Sequence, residues 1–250
     1  MTVERVIFAL AAWCALIAII RLWLVPRLAR GPGGDPVNGV TWLVVRAYAR
    51  VLHRVRFEGL EELRDRIHVG PLIVVSNHTG AVDPLLIQAG CRFHIRWMMA
   101  SEMMTPALDW LWKKQRMIPV ERDARDLSPA REAMRHLEAG EVIGMFPEGR
   151  IVVPPREIRP FYTGIGLIAA RSQAPVLLVW VSGTPEAANL LDSLITPSRA
   201  RVVYVGILDF NGERDGHVIT QMLRDRLAVV SGWPVNEEKL PPSDRAAREF

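Results

Sequence analysis

From position 6 to position 25 the chain is apolar except for Arg21, and about twenty residues of helix rise roughly 30 Å, the thickness of a bilayer core. The pattern predicts a membrane helix over 6–25. Arg21 lies near its end, where a long side chain can snorkel to the headgroups. Between 40 and 57 the pattern changes: Arg46, Arg50 and Arg54 recur every fourth residue while Trp42, Leu43, Val44, Val45 and Leu52 supply apolar surface. A basic amphipathic helix lying on the headgroups is expected there, the alternative being a helix packed on the domain with a solvated charged face. Pro32, Gly33, Gly34, Asp35 and Pro36 form the break between the two helices.

Further along, short apolar runs alternate with helical ones. Strands are expected at 72–75, 95–98, 117–120, 142–146, 176–181 and 201–207, and helices at 84–89, 106–114, 128–139, 164–171 and 217–230. This alternation predicts an α/β fold, a single domain with a largely parallel sheet flanked by helices. Ligands of such sheets commonly sit at strand ends.

Charge decides the orientation of the N-terminal segment. From Arg21 to Arg56 there are seven arginines against one acid, Asp35, which places this side of the membrane helix in the cytoplasm. A signal peptide fits poorly, because the segment before the apolar run is nearly neutral and no small-residue cleavage site follows it. Half of the residues are hydrophobic and the pI is about 9.5, as expected of a basic protein that meets an apolar phase or an anionic surface. Membrane lipids are the expected partners, and nucleic acid is not. Cys14 and Cys91 are far apart, one of them in the predicted membrane helix, so neither a disulfide nor a metal pair is expected.

Candidate chemistry begins at 74–84. After the apolar run ending in Val75 come Ser76, Asn77, His78, Thr79 and Gly80, and then Asp83-Pro84. Aspartate is a favoured N-cap and proline suits the first helical position, so a helix starts here. With His78 in the turn and Asp83 at the cap, the chain can fold back to join carboxylate and imidazole. Such a pair fixes the tautomer and stabilises the imidazolium formed when the other ring nitrogen takes a proton. Spacing by itself is weak: six histidines and eleven aspartates give a chance match roughly one time in four. His53 with Glu58 and His136 with Glu141 repeat the separation without a preceding strand and read as solvated helix or turn residues.

A second strand-to-turn junction at 142–150 ends in Phe146-Pro147-Glu148-Gly149-Arg150. The glutamate can accept from hydroxyls, the glycine permits close approach to the backbone, and the arginine can hold a phosphate in its planar fork. A salt-bridged surface turn is the alternative. The run 117–120 is followed by Glu121-Arg122, where Arg122 is either a second phosphate ligand or a solvated strand end. Gly164-Ile165-Gly166 mimics a dinucleotide-binding loop but lacks the preceding strand, and reads instead as the start of a tightly packed helix. The cluster Trp97, Met98, Met99, Met103, Met104, Trp110 and Trp112 is either core or the lining of an acyl-chain groove.

Taken together and in this order, these blocks resemble the glycerophospholipid acyltransferases typified by 1-acylglycerol-3-phosphate acyltransferase. Asn77, His78 and Asp83 match Asn-His-x4-Asp, Arg122 matches the arginine that ends the second block, and Phe146 to Gly149 match Phe-Pro-Glu-Gly. The run Ala174-Pro175-Val176 resembles a fourth block, a proline opening an apolar strand. There are two departures. Arg150 and Ile151 stand where the phosphatidate-forming members have Thr-Arg, which is similar to members that reacylate other lysophospholipids. Arg116 stands where the second block commonly opens with glycine.

The resemblance implies a membrane-bound transfer of a fatty acyl group from acyl-CoA or acyl-ACP to a free hydroxyl of a lysophospholipid. His78 is then the general base and Asp83 its orienting acid. Asn77, Arg122, Glu148, Gly149 and Arg150 bind the substrate, and neither metal nor cofactor is needed beyond the acyl co-substrate. On this reading 1–57 is the membrane-anchoring helix plus the basic amphipathic helix, 58–238 the acyltransferase catalytic domain and 239–250 a flexible C-terminal tail. Two other classes stay open. One is a lipid hydrolase using the same pair on water or through Ser76, although no Gly-x-Ser-x-Gly elbow is present. The other is a non-catalytic membrane-binding protein that keeps the fold.

Overall fold

The computed structural model describes residues 3–29, 31–32, 36–63, 70–121, 126–152, 156–187 and 190–238. The chain opens on helix α1 (Val3–Ile19), passes through a π-helical turn (Ile20–Leu24) and continues as α2 (Val25–Leu28). In the wide turn Val25 N–H donates to Ile20 O, five residues back. It falls just before Pro26, which has no N–H to continue the ordinary ladder. Among the described residues one helix is long and apolar enough to cross a membrane: Leu10–Leu28, with a mean hydropathy of 1.7 and none of it buried.

Helix α3 (Pro36–Val51) folds back against α2. Gly39 makes the contact possible, since a Cβ there would lie 1.9 Å from Leu28 O. The arginines expected to share one headgroup-facing stripe are divided by the structure. Arg46 turns toward the domain, its guanidinium over the rings of Trp42 (4.9 Å) and Phe57 (6.0 Å), and burial, with Arg50 and Arg92 nearby, lowers its pKa. Arg50 and Arg54 stay exposed. The outward face of α3 is apolar, carrying Val37, Val40, Val44 and Val51 at helical spacing. Gly33, Gly34 and Asp35 of the expected break lie outside the described residues.

The rest is a seven-stranded sheet in the order β1-β7-β6-β2-β5-β3-β4. Its strands are β1 (Arg56–Glu58), β2 (Leu72–Ser76), β3 (Ile95–Ala100), β4 (Ile118–Val120), β5 (Val142–Met145), β6 (Val176–Ser182) and β7 (Arg201–Leu208). Neighbours run parallel except β6 and β7. The helices that follow α3 are α4 (Asp83–Gly90), α5 (Asp109–Gln115), α6 (Ser128–Glu138), α7 (Gly164–Ser172), α8 (Leu190–Ile195) and α9 (Gly216–Ser231). All six expected strands are present within two residues at either end. Two short elements, β1 and α8, carry too few residues for a period to register. The expected helix 106–114 is split by Leu108, at φ −108° and ψ 14°, into a 3-10 turn at Pro106–Leu108 and α5.

Strand β2 shows how the layers form. Ile73 and Val75 enter the core beneath α6, α7 and α9, whereas Leu72 and Val74 enter the one beneath α3 and α4. Successive residues face opposite sides. Because both faces are covered, the strand reads as an unbroken apolar run. The helix opening at Gly164 is tightly packed, as expected: a Cβ on Gly166 would lie 1.7 Å from Gly216 O, where α7 crosses α9. In the aromatic and methionine cluster Trp97 and Trp112 are core, while Met103 and Trp110 are exposed.

Candidate active site

The parallel strands β2 and β5 end side by side, Val75 opposite Met145, so their following turns occupy one end of the sheet. Asn77 leaves β2 first, and its side chain behaves like an extra peptide group. Nδ2 donates to Val181 O at 2.8 Å, and Val181 N–H donates to Oδ1 at 2.8 Å. Asn77 was expected to bind substrate. With 1% of its surface exposed and both ends of its amide occupied, it is instead a splint between the ends of β2 and β6.

His78 comes next and is half-buried. Its Nδ1–H donates to Asp83 Oδ2 at 3.0 Å, which leaves Nε2 as the ring nitrogen able to take a proton. Asp83 is fully buried. The same Oδ2 accepts from Thr79 N–H at 2.7 Å and Gly80 N–H at 2.9 Å, so the turn holds the acid independently of the imidazole. Asp83 was expected at the N-cap. The cap is Val82, without a side-chain bond, and Asp83 opens α4 with its carboxylate bent back toward the turn before it. Ser76, the alternative nucleophile, is fully buried and 3.5 Å from Asn77 Oδ1.

The turn after β5 supplies the second wall. The ring of Phe146 stacks on the His78 imidazole at 4.0 Å between centroids and 16° between planes, and Trp97 stacks on Phe146 at 4.8 Å and 9°. Gly149 adopts φ +73°, and a Cβ there would lie 2.5 Å from the Tyr162 ring, so the group that approaches this glycine is an aromatic side chain of the same chain. Arg150 is half-buried and makes no ion pair among the described residues. It lies two residues before Val152, whose N–H donates to His78 O at 3.0 Å. Arg122 lies outside the described residues.

Glu148 points inward. Only 3% of it is exposed; Oε2 accepts from His78 N–H at 3.4 Å, and Arg159 N–H also bonds the carboxylate. Burial pushes its pKa up to about 8, assisted by the Asp83 charge and opposed by the two backbone donors and the Arg159 charge. The group is therefore mostly neutral at pH 7, and Oε1 is buried without a partner. It supports the His78 turn from behind.

The two look-alike histidines differ: His136 is partly exposed, whereas His53 is fully buried. Its Nε2–H donates to Tyr48 Oη at 2.8 Å, Tyr48 donates onward to Leu194 O at 2.5 Å, and Nδ1 accepts from Ser198 Oγ at 2.9 Å. Burial lowers its pKa, and Glu58 pairs with Arg201 instead. His136 does bond Glu141, Nδ1 to Oε2 at 2.7 Å, but Glu141 precedes β5 and so lies at the sheet end opposite His78. Arg116, where the resemblance favours glycine, is in the left-handed region at φ +50° as the C-cap of α5. That geometry is the physical reason glycine suits the position. Phe146 belongs to the Phe-Pro-Glu-Gly block, but the Trp97 ring and the Arg159 N–H carry no motif signal for these contacts, which join segments distant in sequence.

Comparison with known proteins bears on the family and the fold. A family model described as Acyltransferase matches residues 54–182. The N-acylphosphatidylethanolamine synthase of Arabidopsis thaliana is 25% identical over 165 residues, covering 58% of this chain and 58% of that protein. The chain thus spans little more than half the length of that curated relative. Among solved structures, the 1-acyl-sn-glycerophosphate acyltransferase PlsC of Thermotoga maritima superposes with a TM-score of 0.63 at 20% identity, over 79% of this chain and 82% of that one. This last likeness is one of fold.

Proposed function

Because the chain belongs to the acyltransferase family, we propose that it moves a fatty acyl group from an acyl thioester, acyl-CoA or acyl-ACP, to a free hydroxyl of a lysophospholipid at a membrane surface. The observation that carries the reading is the 3.0 Å bond from His78 Nδ1–H to a buried Asp83 that two backbone N–H groups hold in place. A lipid hydroxyl attacks a thioester poorly unless a base removes its proton as the bond forms. His78 Nε2 takes that proton while the alcohol oxygen adds to the acyl carbonyl, and Asp83 balances the imidazolium. Collapse of the tetrahedral adduct breaks the C–S bond. The thiolate leaves and recovers the proton, with no covalent enzyme intermediate.

Arg150, without an ion-pair partner among the described residues and close in the chain to the Val152 contact with His78, holds the acceptor's phosphate, together with Arg122. Gly149 shapes the turn that presents Arg150, and Glu148 acts on the acceptor indirectly, through the His78 backbone. Leu10–Leu28 anchors residues 1–57 in the membrane, with the catalytic domain on the cytoplasmic face. The test is transfer of labelled acyl chains from acyl-CoA and from acyl-ACP to a panel of lysophospholipids by the detergent-purified chain. The name of the Arabidopsis relative adds phosphatidylethanolamine to that panel. His78→Ala and Asp83→Asn are expected to lower kcat by roughly a hundred- to ten-thousand-fold. Free fatty acid released without an acceptor, or full transfer by His78→Ala, would overturn the assignment.

A further inference from the structure

Helix α8 has no counterpart in the proposed mechanism, yet its surroundings are unusual. Leu191 and Ile195, four residues apart and so on one helical face, are 70% and 69% exposed. Topology places that face. Strand β6 runs parallel to β2 and ends at Ser182 beside the Asn77 splint, while β7 runs antiparallel and starts opposite it, Arg201 against Ser182. The connection that contains α8 therefore crosses the end of the sheet that carries His78. Strand β1 starts at the same end, Arg56 opposite Arg201, so the C-terminal turn of α3, which leads into it, arrives there too.

The two helices are tied together at that point. Tyr48 and His53, at the end of α3, bond Leu194 O and Ser198 Oγ, and Ser198 N–H and Ala200 N–H donate to Leu52 O and His53 O. The exposed apolar residues of α8 thus adjoin a helix whose own outward face is apolar and which packs on the membrane-anchor segment. Around them Arg50, Arg54, Arg56 and Arg199 are exposed, and none is in ion-pair contact with an acid among the described residues. An apolar face bordered by exposed arginines matches a bilayer surface containing anionic lipid.

We infer that α8 is a second membrane-contacting element, held in register with α3 by the Tyr48–His53–Ser198 chain, that seats the His78 end of the sheet on the bilayer. This rests on the membrane reading of the N-terminal helix. Its use is access: a lysolipid moving sideways from the bilayer reaches the active-site rim without crossing water.

An environment-sensitive dye on single cysteines in the full-length chain tests it, with exposed Cys14 replaced by serine and buried Cys91 retained. The dye is placed at Ile195→Cys, at Leu16→Cys in α1, and at Val229→Cys on α9, an exposed position on the opposite face of the sheet. In vesicles of three parts phosphatidylcholine to one part phosphatidylglycerol, the emission at 195 and 16 is expected to shift to the blue and rise several-fold, with no change at 229. The double variant Leu191→Asp/Ile195→Asp is expected to raise KM for lysolipid presented in vesicles several-fold, with kcat on a short-chain soluble lysolipid unchanged. A water-like signal at 195 beside a buried one at 16 overturns this inference alone. Water-like signals at both overturn the membrane reading with it. A shift at 195 that follows protein concentration without vesicles assigns the face to a second copy of the chain and overturns the inference as well.

Discussion

Glu148 offers a quantitative handle on the site, because its buried carboxyl must change charge between the folded and unfolded states. Unfolded, it ionises near the ordinary glutamate value of 4.5; folded, burial holds it at about 8. Between those values the native state binds a proton that the unfolded state has lost, so stability falls as pH rises. The contribution is fully present below pH 4.5 and is lost as pH rises through about 8. At about 1.4 kcal/mol per pH unit, the span from 4.5 to about 8 amounts to on the order of 5 kcal/mol.

Glu148→Gln removes the titration while keeping the shape. The amide oxygen can accept from His78 and Arg159, and its NH2 takes the place of Oε1, which is already buried without a partner. Whatever offset that atom causes is independent of pH. Urea unfolding of the detergent-solubilised wild type and variant, measured between about pH 5 and pH 9, therefore isolates the charge. The stability of Glu148→Gln relative to wild type is expected to climb by several kcal/mol across that range and to level off above pH 8. A difference that stays flat with pH would refute the assignment of a neutral, buried Glu148.

Other consequences follow from the same contacts. Asn77→Ala leaves a buried N–H and C=O of Val181 unpaired, and is expected to cost about 2–4 kcal/mol, read as a lower midpoint in urea. Arg116→Gly relieves a left-handed backbone and gives up only a 3.8 Å contact to Glu141 by a largely exposed side chain. It is expected to raise stability by up to about 1 kcal/mol, and a lower melting temperature would contradict that account. Replacing Phe146 by leucine removes the ring stacked on His78, and is expected to lower kcat more than it changes KM, with partial recovery in Phe146→Tyr.

Much of the site was legible because its residues are close in sequence. His78 and Asp83 lie in one turn, and Phe146 to Arg150 in another, so local spacing and the order of the blocks were sufficient to single them out. The roles of Asn77 and Glu148 were read differently, as substrate contacts, because nothing local distinguishes a polar side chain facing a ligand from one facing the backbone of a distant strand. Asn77 meets Val181 more than a hundred residues away, and Glu148 meets His78 across two parallel strands. His136 and Glu141 show the converse: the spacing does produce a hydrogen bond, but at the other end of the sheet.

The amino-acid pattern by itself determined the apolar N-terminal helix, the alternation that builds a parallel sheet, and the strand-end turns that hold His78, Asp83 and Arg150. The positions of these three residues in those turns follow from burial period and turn chemistry, which act over a few residues. Only the tertiary structure decided that the Asn77 amide would brace the sheet, that Glu148 would be buried and neutral, that Arg46 would turn onto aromatic rings, and that α8 would lie at the His78 end. Those outcomes depend on which strands become neighbours. Strand order is settled by packing of the whole domain, and it sets the desolvation and the hydrogen-bond partners that give each polar residue its role.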